Sequence, residues 1–460
     1  MVFISFSSED YHGLNNFFAS LGLIWFVGLW TIWLLGTWAA RNRYRLRPRS
    51  PLSSATRTAV PGVSILRPLK GLDTNLYENL ESTFLQEYPN FEILLCVAEE
   101  DDQALPLVRE LIAKYPNVNA KVLIGQEIVG VNPKVNNLMG GYRSAVNDIL
   151  WVLDSNVTVH SGTLARAVDA LQAPTKSGKR VALVHHVPFA FSTESRVGSR
   201  IDEAFLNTNH AKMYLAINTV AIESCVVGKS NLYRRSDLER VNGSLKPITS
   251  TEPDAKQDGL CGLPAFGRFL AEDNMIASAL WHELGLRHDL SCDVARNVVG
   301  NMSLRDYVQR RIRWIRVRKN MVFAATLVEP FTESIALVAI GSSSLKYLFG
   351  LPRWLCILVH FSMLLIVDLD VYTSLAGHPL PQSIKWEFLA GWVAREILAL
   401  PIFISAIFGN TVEWRGRQYQ VLSNGEVQHV SNHRSFFDSS KFFGWYRRQY
   451  QALETQPVSP

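Results

Sequence analysis

Cysteine is scarce in this chain: five residues in 460 (Cys96, Cys225, Cys261, Cys292 and Cys356), an odd number, widely scattered and without a C-x-x-C pair. That spacing excludes a disulfide scaffold and the usual Cys/His zinc patterns, and it fits a reducing compartment. Charge is sparse as well. Charged residues make up 19% of the chain against 48% hydrophobic, so some segments must be far more apolar than others. The net charge of +5 is modest and its basic residues are clustered, while no run resembles a DNA-reading arm. A membrane surface or a phosphate-bearing ligand fits this balance better than nucleic acid. There is no internal repeat, and no positive region precedes the first apolar run, where Glu9 and Asp10 stand instead.

Apolar runs, by contrast, are abundant. The length suits one catalytic domain plus membrane segments. Residues 17–40 form an uncharged, Trp-rich stretch long enough to cross a bilayer as a helix, expected to be a retained anchor after a short non-cytosolic segment, 1–16. Arg41, Arg43, Arg45, Arg47 and Arg49 follow at once, and such a cluster predicts that the next domain faces the cytosol. Residues 41–62 read as a basic linker rich in Pro, Ser and Thr. From Val63, β-prone runs alternate with helical stretches: Val63 to Pro68, Leu76 to Leu85, Phe91 to Val97, Leu105 to Tyr115, Lys121 to Ile124, Asn137 to Val146 and Asp148 to Leu153. This alternation predicts an α/β domain over 63–320, with a mostly parallel sheet and ligands at the carboxyl ends of its strands. Residues 321–410 read as a membrane region of two to three helices, the first weak enough to be interfacial or re-entrant. A basic tail, 411–460, is expected on the cytosolic side. The polar stretch Ile248 to Gly262 reads as an inserted loop.

Five places carry chemistry. The strand ending at Val97 runs into Glu99-Glu100-Asp101-Asp102, where Asp102 is placed to hold a nucleotide; a solvated acidic turn is the plainer alternative. The strand ending at Leu153 aims Asp154 at the sheet edge, suited to a hard divalent cation on a diphosphate, or else to capping a helix. In Asn132-Pro133-Lys134, Lys134 opens a helix, where an ammonium and free backbone donors suit a diphosphate; a simple turn and cap is the alternative. Asp273, in Glu272-Asp273, is the choice for the base that takes the proton of an attacking hydroxyl, although an Asp at a helix start is often a cap. On the helical stretch Leu304 to Lys319, Arg313 and Trp314 lie three and four residues past Arg310. They would offer cations to a leaving diphosphate and a flat ring to the acceptor, or else lie on anionic lipid. His210 is a further candidate on that side.

Taken together, Asp102, Asp154, Asp273 and Arg310-x-x-Arg313-Trp314 resemble the ordered D1, D2, D3 and Q/R-x-x-R-W motifs of the family 2-like glycosyltransferases. More narrowly, the strings RPLKGLD (67–73), KYPNV (114–118), VNPKVNNLMGGY (131–142) and WRGRQY (414–419) resemble the ceramide glucosyltransferases of family 21, across nearly the whole chain. The resemblance implies a GT-A fold, UDP-glucose as donor, ceramide as acceptor, inversion to a β-glucoside, and a Golgi membrane with the site on its cytosolic face. It also implies a divalent cation, magnesium or manganese, on Asp154. The D-x-D of the wider family is here Asp154-Ser155-Asn156, without the second acid. Two alternatives share the pattern: a processive polysaccharide synthase, and a non-catalytic membrane protein that binds a nucleotide sugar.

Overall fold

A computed structural model of the chain describes residues 8–174, 178–248, 260–414, 417–422 and 424–430. It opens with one long helix, α1 (Ser8–Tyr44), so the first of the arginines beyond the apolar run still lie on its last turn. The domain that follows alternates β1 (Val63–Leu69), α2 (Leu76–Phe84), β2 (Phe91–Val97), α3 (Ala104–Lys114), β3 (Ala120–Ile124), α4 (Pro133–Ser144) and β4 (Ile149–Leu153). Then come β5 (Val157–Thr158), α5 (Thr163–Gln172), β6 (Val181–Ser192), α6 (Val197–Phe205), a π-helical turn at Leu206–His210, α7 (Ala211–Val220), β7 (Ser230–Arg234) and α8 (Arg235–Leu238). The domain closes with α9 (Glu272–His282), β8 (Arg287–Val299) and α10 (Leu304–Met321).

The eight strands form one sheet in the order β3-β2-β1-β4-β7-β6-β8-β5. Neighbours β3, β2, β1 and β4 run parallel, as do β6 and β8, while β7 runs against both β4 and β6. Side chains alternate across the central strands and both faces are covered. Ile65, Ile93, Leu95, Trp151 and Leu153 pack on the side of α2, α3 and α5. Leu66, Leu94, Leu150 and Val152 pack on the side of α4 and α9.

After α10 the chain becomes apolar again: α11 (Phe323–Val328), α12 (Ser334–Phe349), α13 (Arg353–Ala376) and α14 (Lys385–Ile407). Among the described residues, three helices are long and apolar enough to span a membrane: His12–Tyr44 of α1, α13 and α14. The segments Phe323–Thr332 and Ser334–Phe349 pass that test only as a pair, bent by 64°. Exposed Phe17, Leu21, Ile24 and Val27 on α1 and Leu358, Met363 and Ile366 on α13 give the apolar surface such helices present to lipid. The chain is therefore a membrane protein.

Ion pairs bind these helices to the sheet domain. Arg41 and Arg45 both meet Asp370 on α13 at 2.6 Å, and Arg43 meets Asp289 on β8 at 2.8 Å. Deeper in, Lys212 of α7 pairs with Asp368 of α13 at 2.7 Å and lies over the Trp33 ring of α1, with Trp392 of α14 donating to the same carboxylate. Charges at such depth persist because each is paired.

One expectation needs amending. The segment after α14 is more than a basic tail, because Thr411–Trp414, Arg417–Val421 and Val427–His429 form a three-stranded antiparallel sheet, β9 to β11. Val412, Tyr419, Val421 and Val427 alternate onto one face and pack with Val131, Leu270 and Val317 of the sheet domain. Residues 431–460 of the tail, and 249–259 of the expected insertion, lie outside the described residues.

Candidate functional site

The parallel strands β1, β2 and β4 end at one edge of the sheet, and each delivers an acid there. After β1 comes Asp73, whose Oδ2 accepts from the Ser155 hydroxyl. After β2 comes Asp102, which accepts from the Gly71 backbone N–H (2.9 and 3.0 Å) and from the Ala104 N–H (2.8 Å). Asp102 therefore both holds the first N–H of α3 and orders the turn at Gly71, whose φ of +66° suits glycine. Asn137 of α4 donates to the carbonyls of Leu69 (3.0 Å) and Cys96 (3.1 Å), tying the ends of β1 and β2 together.

Asp154 follows β4 and caps no helix. Lys134 reaches its Oδ1 at 2.8 Å and Lys229 its Oδ2 at 2.9 Å. Burial alone would raise this carboxyl, but the two ammonium groups hold it far below the usual carboxylate range. Lys134 also reaches Glu272 at 2.9 Å and donates to the Gly228 carbonyl at 3.3 Å. Asn132 caps α4 through Lys134 N–H (2.9 Å) and donates to Glu272 (2.9 Å), so the start of α4 and the start of α9 are locked together. Burial lowers the Lys134 ammonium, and Asp154 and Glu272 more than reverse it, leaving its pKa well raised.

Asp273 sits beside this cluster. The residue before α9 is Ala271 and no side chain caps the helix, while the neighbouring Asn274 backbone N–H faces the Asp273 carboxylate. Gly228 lies against it: a Cβ on that glycine would stand 2.2 Å from Asp273 Oδ2. Burial, and then the charge of Glu272, push the Asp273 carboxyl up to about 7, against the pull of Lys134. A carboxyl held there takes a proton readily at neutral pH.

From Gly228 a short chain of contacts leads towards the membrane side. The N–H of Val227 donates to the Tyr214 hydroxyl (3.0 Å), and the Tyr214 ring stacks on His210 at 5.6 Å. His210 lies 6.0 Å from the Trp314 ring, and Arg310 lies 4.8 Å over that same ring. Arg310 also stands 3.5 Å from Asp202, a buried carboxylate whose oxygens have no hydrogen-bond partner among the described residues. His210 Nδ1 is likewise buried and unpartnered. Burial, then the cations Arg311, Arg318 and Arg310, hold the His210 ring neutral with its pKa down at about 3. The π-helical turn at Leu206–His210 is what turns this ring towards α10.

The structure thus brings together Asp154, Lys134 and Asp273 near the strand ends, and His210, Arg310 and Trp314 at the start of α7 and on α10. Arg313 does not join Arg310 and Trp314. It points to the C-terminal sheet, donating to the Glu413 carbonyl at 3.4 Å, because three residues of helix turn by less than a full revolution. Three residues outside the sequence reading belong to the site: Lys229, Asp202 and Tyr214. Lys229 precedes β7, the antiparallel strand, so it is the start of that strand that meets the ends of β1, β2 and β4.

The donor set at Asp154 does not fit a divalent cation as it stands. Both carboxylate oxygens carry an ammonium partner, Asn156 Oδ1 accepts from Lys229 at 3.1 Å, and no group of three metal-binding side chains occurs among the described residues.

Strand-end acids braced by lysines, beside an aromatic and basic helix next to membrane spans, define the class: a membrane-bound glycosyltransferase. More particularly, the chain belongs to glycosyl transferase family 21, whose model matches residues 24–250 and 255–427. It is 39% identical to a ceramide glucosyltransferase of Komagataella phaffii, over 79% of this chain and 82% of that one. It is 32% identical to a ceramide glucosyltransferase of Candida albicans (78% and 86% covered) and 30% identical to ceramide glucosyltransferase 3 of Caenorhabditis elegans (80% and 75%). Among solved structures, a mannosyltransferase of Pyrobaculum calidifontis, in complex with GDP-Man and Mn2+, is 18% identical with a TM-score of 0.43, covering 83% of this chain and 99% of that one.

Proposed function

We propose that the chain transfers glucose from UDP-glucose to the primary hydroxyl of ceramide with inversion, giving β-glucosylceramide. The observation that carries this reading is the Asp273 carboxyl, raised to about 7, standing between the lysine-braced strand ends and the His210–Trp314 wall. The family and the relatives named as ceramide glucosyltransferases support the sugar and the acceptor.

In this reading the acceptor oxygen attacks the anomeric carbon from the face opposite the diphosphate. The new C–O bond forms as the bond to the diphosphate breaks, UDP leaves, and the hydroxyl proton passes to Asp273. Asp154 and Lys134 shape the donor side, and Asp102 holds the Gly71 turn against the nucleotide. Arg310 and Trp314 steady the acceptor and leaving group, Arg313 adds positive potential from beside the C-terminal sheet, and neutral His210 offers its unpartnered nitrogen to an acceptor polar group. Magnesium or manganese would reach Asp154 only by displacing an ammonium group. The protein is read as a multi-pass Golgi protein with its catalytic domain in the cytosol, where a soluble donor meets an acceptor held in the bilayer.

The test is transfer by the purified full chain, supplied with UDP-glucose and ceramide in lipid nanodiscs. Glucosylceramide as the product supports the reading. A long polymer instead would make the protein a processive synthase, and tight UDP-glucose binding by folded protein without transfer or hydrolysis would make it a binding protein.

A further inference from the structure

Lys229 is not explained by holding up the fold. Its backbone is fixed by the sheet: its carbonyl accepts from Asp154 N–H at 3.2 Å, and the next residue, Ser230, pairs with Leu153 in the β4/β7 register. Its side chain is therefore set opposite Asp154 by strand pairing and not by a loop. An ammonium has three N–H donors. Those of Lys134 are matched by Asp154 Oδ1, Glu272 Oε1 and the Gly228 carbonyl. Among the described residues Lys229 meets Asp154 Oδ2 and Asn156 Oδ1 only, which leaves one donor open on a side chain 16% exposed.

We propose that Lys229 takes the position a divalent cation would hold: it donates to the diphosphate of the nucleotide sugar, so donor binding and transfer proceed without metal. The chemistry of the donor set leads there. A hard cation needs several anionic or carbonyl oxygens free to face it. Here the second strand-end position is the neutral Asn156, and its oxygen, like both oxygens of Asp154, already faces an ammonium. A divalent ion among them would crowd its charge against two cations, whereas the diphosphate of a donor brings the anion they lack. The assignment also separates the two lysines: Lys134 positions Asp154 and Glu272, and Lys229 touches the ligand.

This inference rests on the chain being a nucleotide-sugar transferase, and its test reads UDP binding without acceptor. Full-length protein in nanodiscs is titrated with UDP by calorimetry, in EDTA and then with excess Mn2+. Wild type is expected to bind equally in both. Lys229→Ala is expected to weaken UDP binding in EDTA by about 10- to 100-fold, the worth of one charge-assisted hydrogen bond, and Lys229→Arg to stay within about threefold of wild type. Circular dichroism and thermal melting establish that each variant is folded; if Lys229→Ala is not, Lys229→Gln takes its place. Wild type that needs metal to bind UDP, or a neutral variant that binds like wild type in EDTA, overturns the assignment. Lack of transfer to ceramide would count against the acceptor reading alone, since the UDP titrations decide this one by themselves.

Discussion

Replacing Asp273 by Asn should move activity and stability in opposite directions. The carboxyl acts as base only when ionised, and burial with Glu272 beside it places its pKa at about 7. Acceptor kcat/KM should therefore rise with pH across neutrality: about a tenth of the sites are ionised one pH unit below that value, so the rate near pH 6 should be about a tenth of the plateau. The diphosphate of a bound donor adds negative charge nearby, so the limb of kcat should lie at higher pH than that of kcat/KM. Asp273→Asn removes the base and should lower kcat by about 10²- to 10⁴-fold, roughly 3–5 kcal/mol of barrier, with UDP affinity little changed. For stability the sign is reversed. This group binds its proton more tightly folded than unfolded, so the fold loses stability as pH rises from about 4 to about 7. The variant escapes that loss and should melt roughly a few degrees higher than wild type at pH 8, but not at pH 4. The assay is radiolabelled glucose transfer to a short-chain ceramide from pH 5.5 to 8.5, with melting curves at each pH. A flat profile, or near-normal turnover by Asp273→Asn, would refute the base assignment.

Trp314→Ala removes the ring that His210 and Arg310 pack on, and should reduce kcat/KM for the acceptor by about 10- to 100-fold while UDP titrations stay unchanged. Gly228→Ala puts a methyl group into the Asp273 carboxylate and should cut kcat at least about tenfold, read in the same transfer assay, with the protein still folded. Lys212→Met leaves Asp368 buried without its cation and should destabilise by about 3–5 kcal/mol, whereas the double change with Asp368→Leu should recover most of the loss in thermal melts.

Much of this architecture is legible in the residues, and what is not has physical causes. Strands β1, β2 and β4 show themselves because buried parallel strands read as mainly apolar runs, interrupted here by Ser64, Arg67, Pro68 and Glu92, and an acid follows a few residues after each. The same rule hides Lys229, since a search at strand ends passes over the start of an antiparallel strand. The C-terminal sheet is hidden for another reason. Its strands are three to five residues long, with exposed polar side chains alternating with single apolar ones, so composition reports only their charge. Arg310, Arg313 and Trp314 form a recognisable motif, but their partners are set by tertiary packing: Asp202 and His210 from around the π-helical turn for two of them, and a carbonyl of β9 for the third. A π-helical turn has no compositional signature at all. Of the arginines that follow the first apolar run, three are spent on Asp370 and Asp289, which only the fold brings near.

If the His210–Trp314 wall receives the acceptor as proposed, the membrane helices are mechanically joined to it through α7. At its start it continues the turn that carries His210; one residue on, Lys212 is gripped by Trp33 of α1 and Asp368 of α13. The two helices approach closely at Gly36 of α1, where an added Cβ would stand 2.0 Å from the Lys212 carbonyl oxygen. That neighbour is backbone and cannot swing aside, so Gly36→Val must push α1 and α7 apart. The displacement would travel two residues along a rigid helix to His210 and thence to its contact with Trp314, while Lys134, Lys229 and Asp154 are held by β4, β7 and α4 and stay put. The variant should therefore lose acceptor kcat/KM by about tenfold or more, since misplacement by about 1 Å is enough for that, and keep its UDP affinity. Equal loss of both, or of neither, would mean that the anchor and the acceptor wall are not mechanically joined.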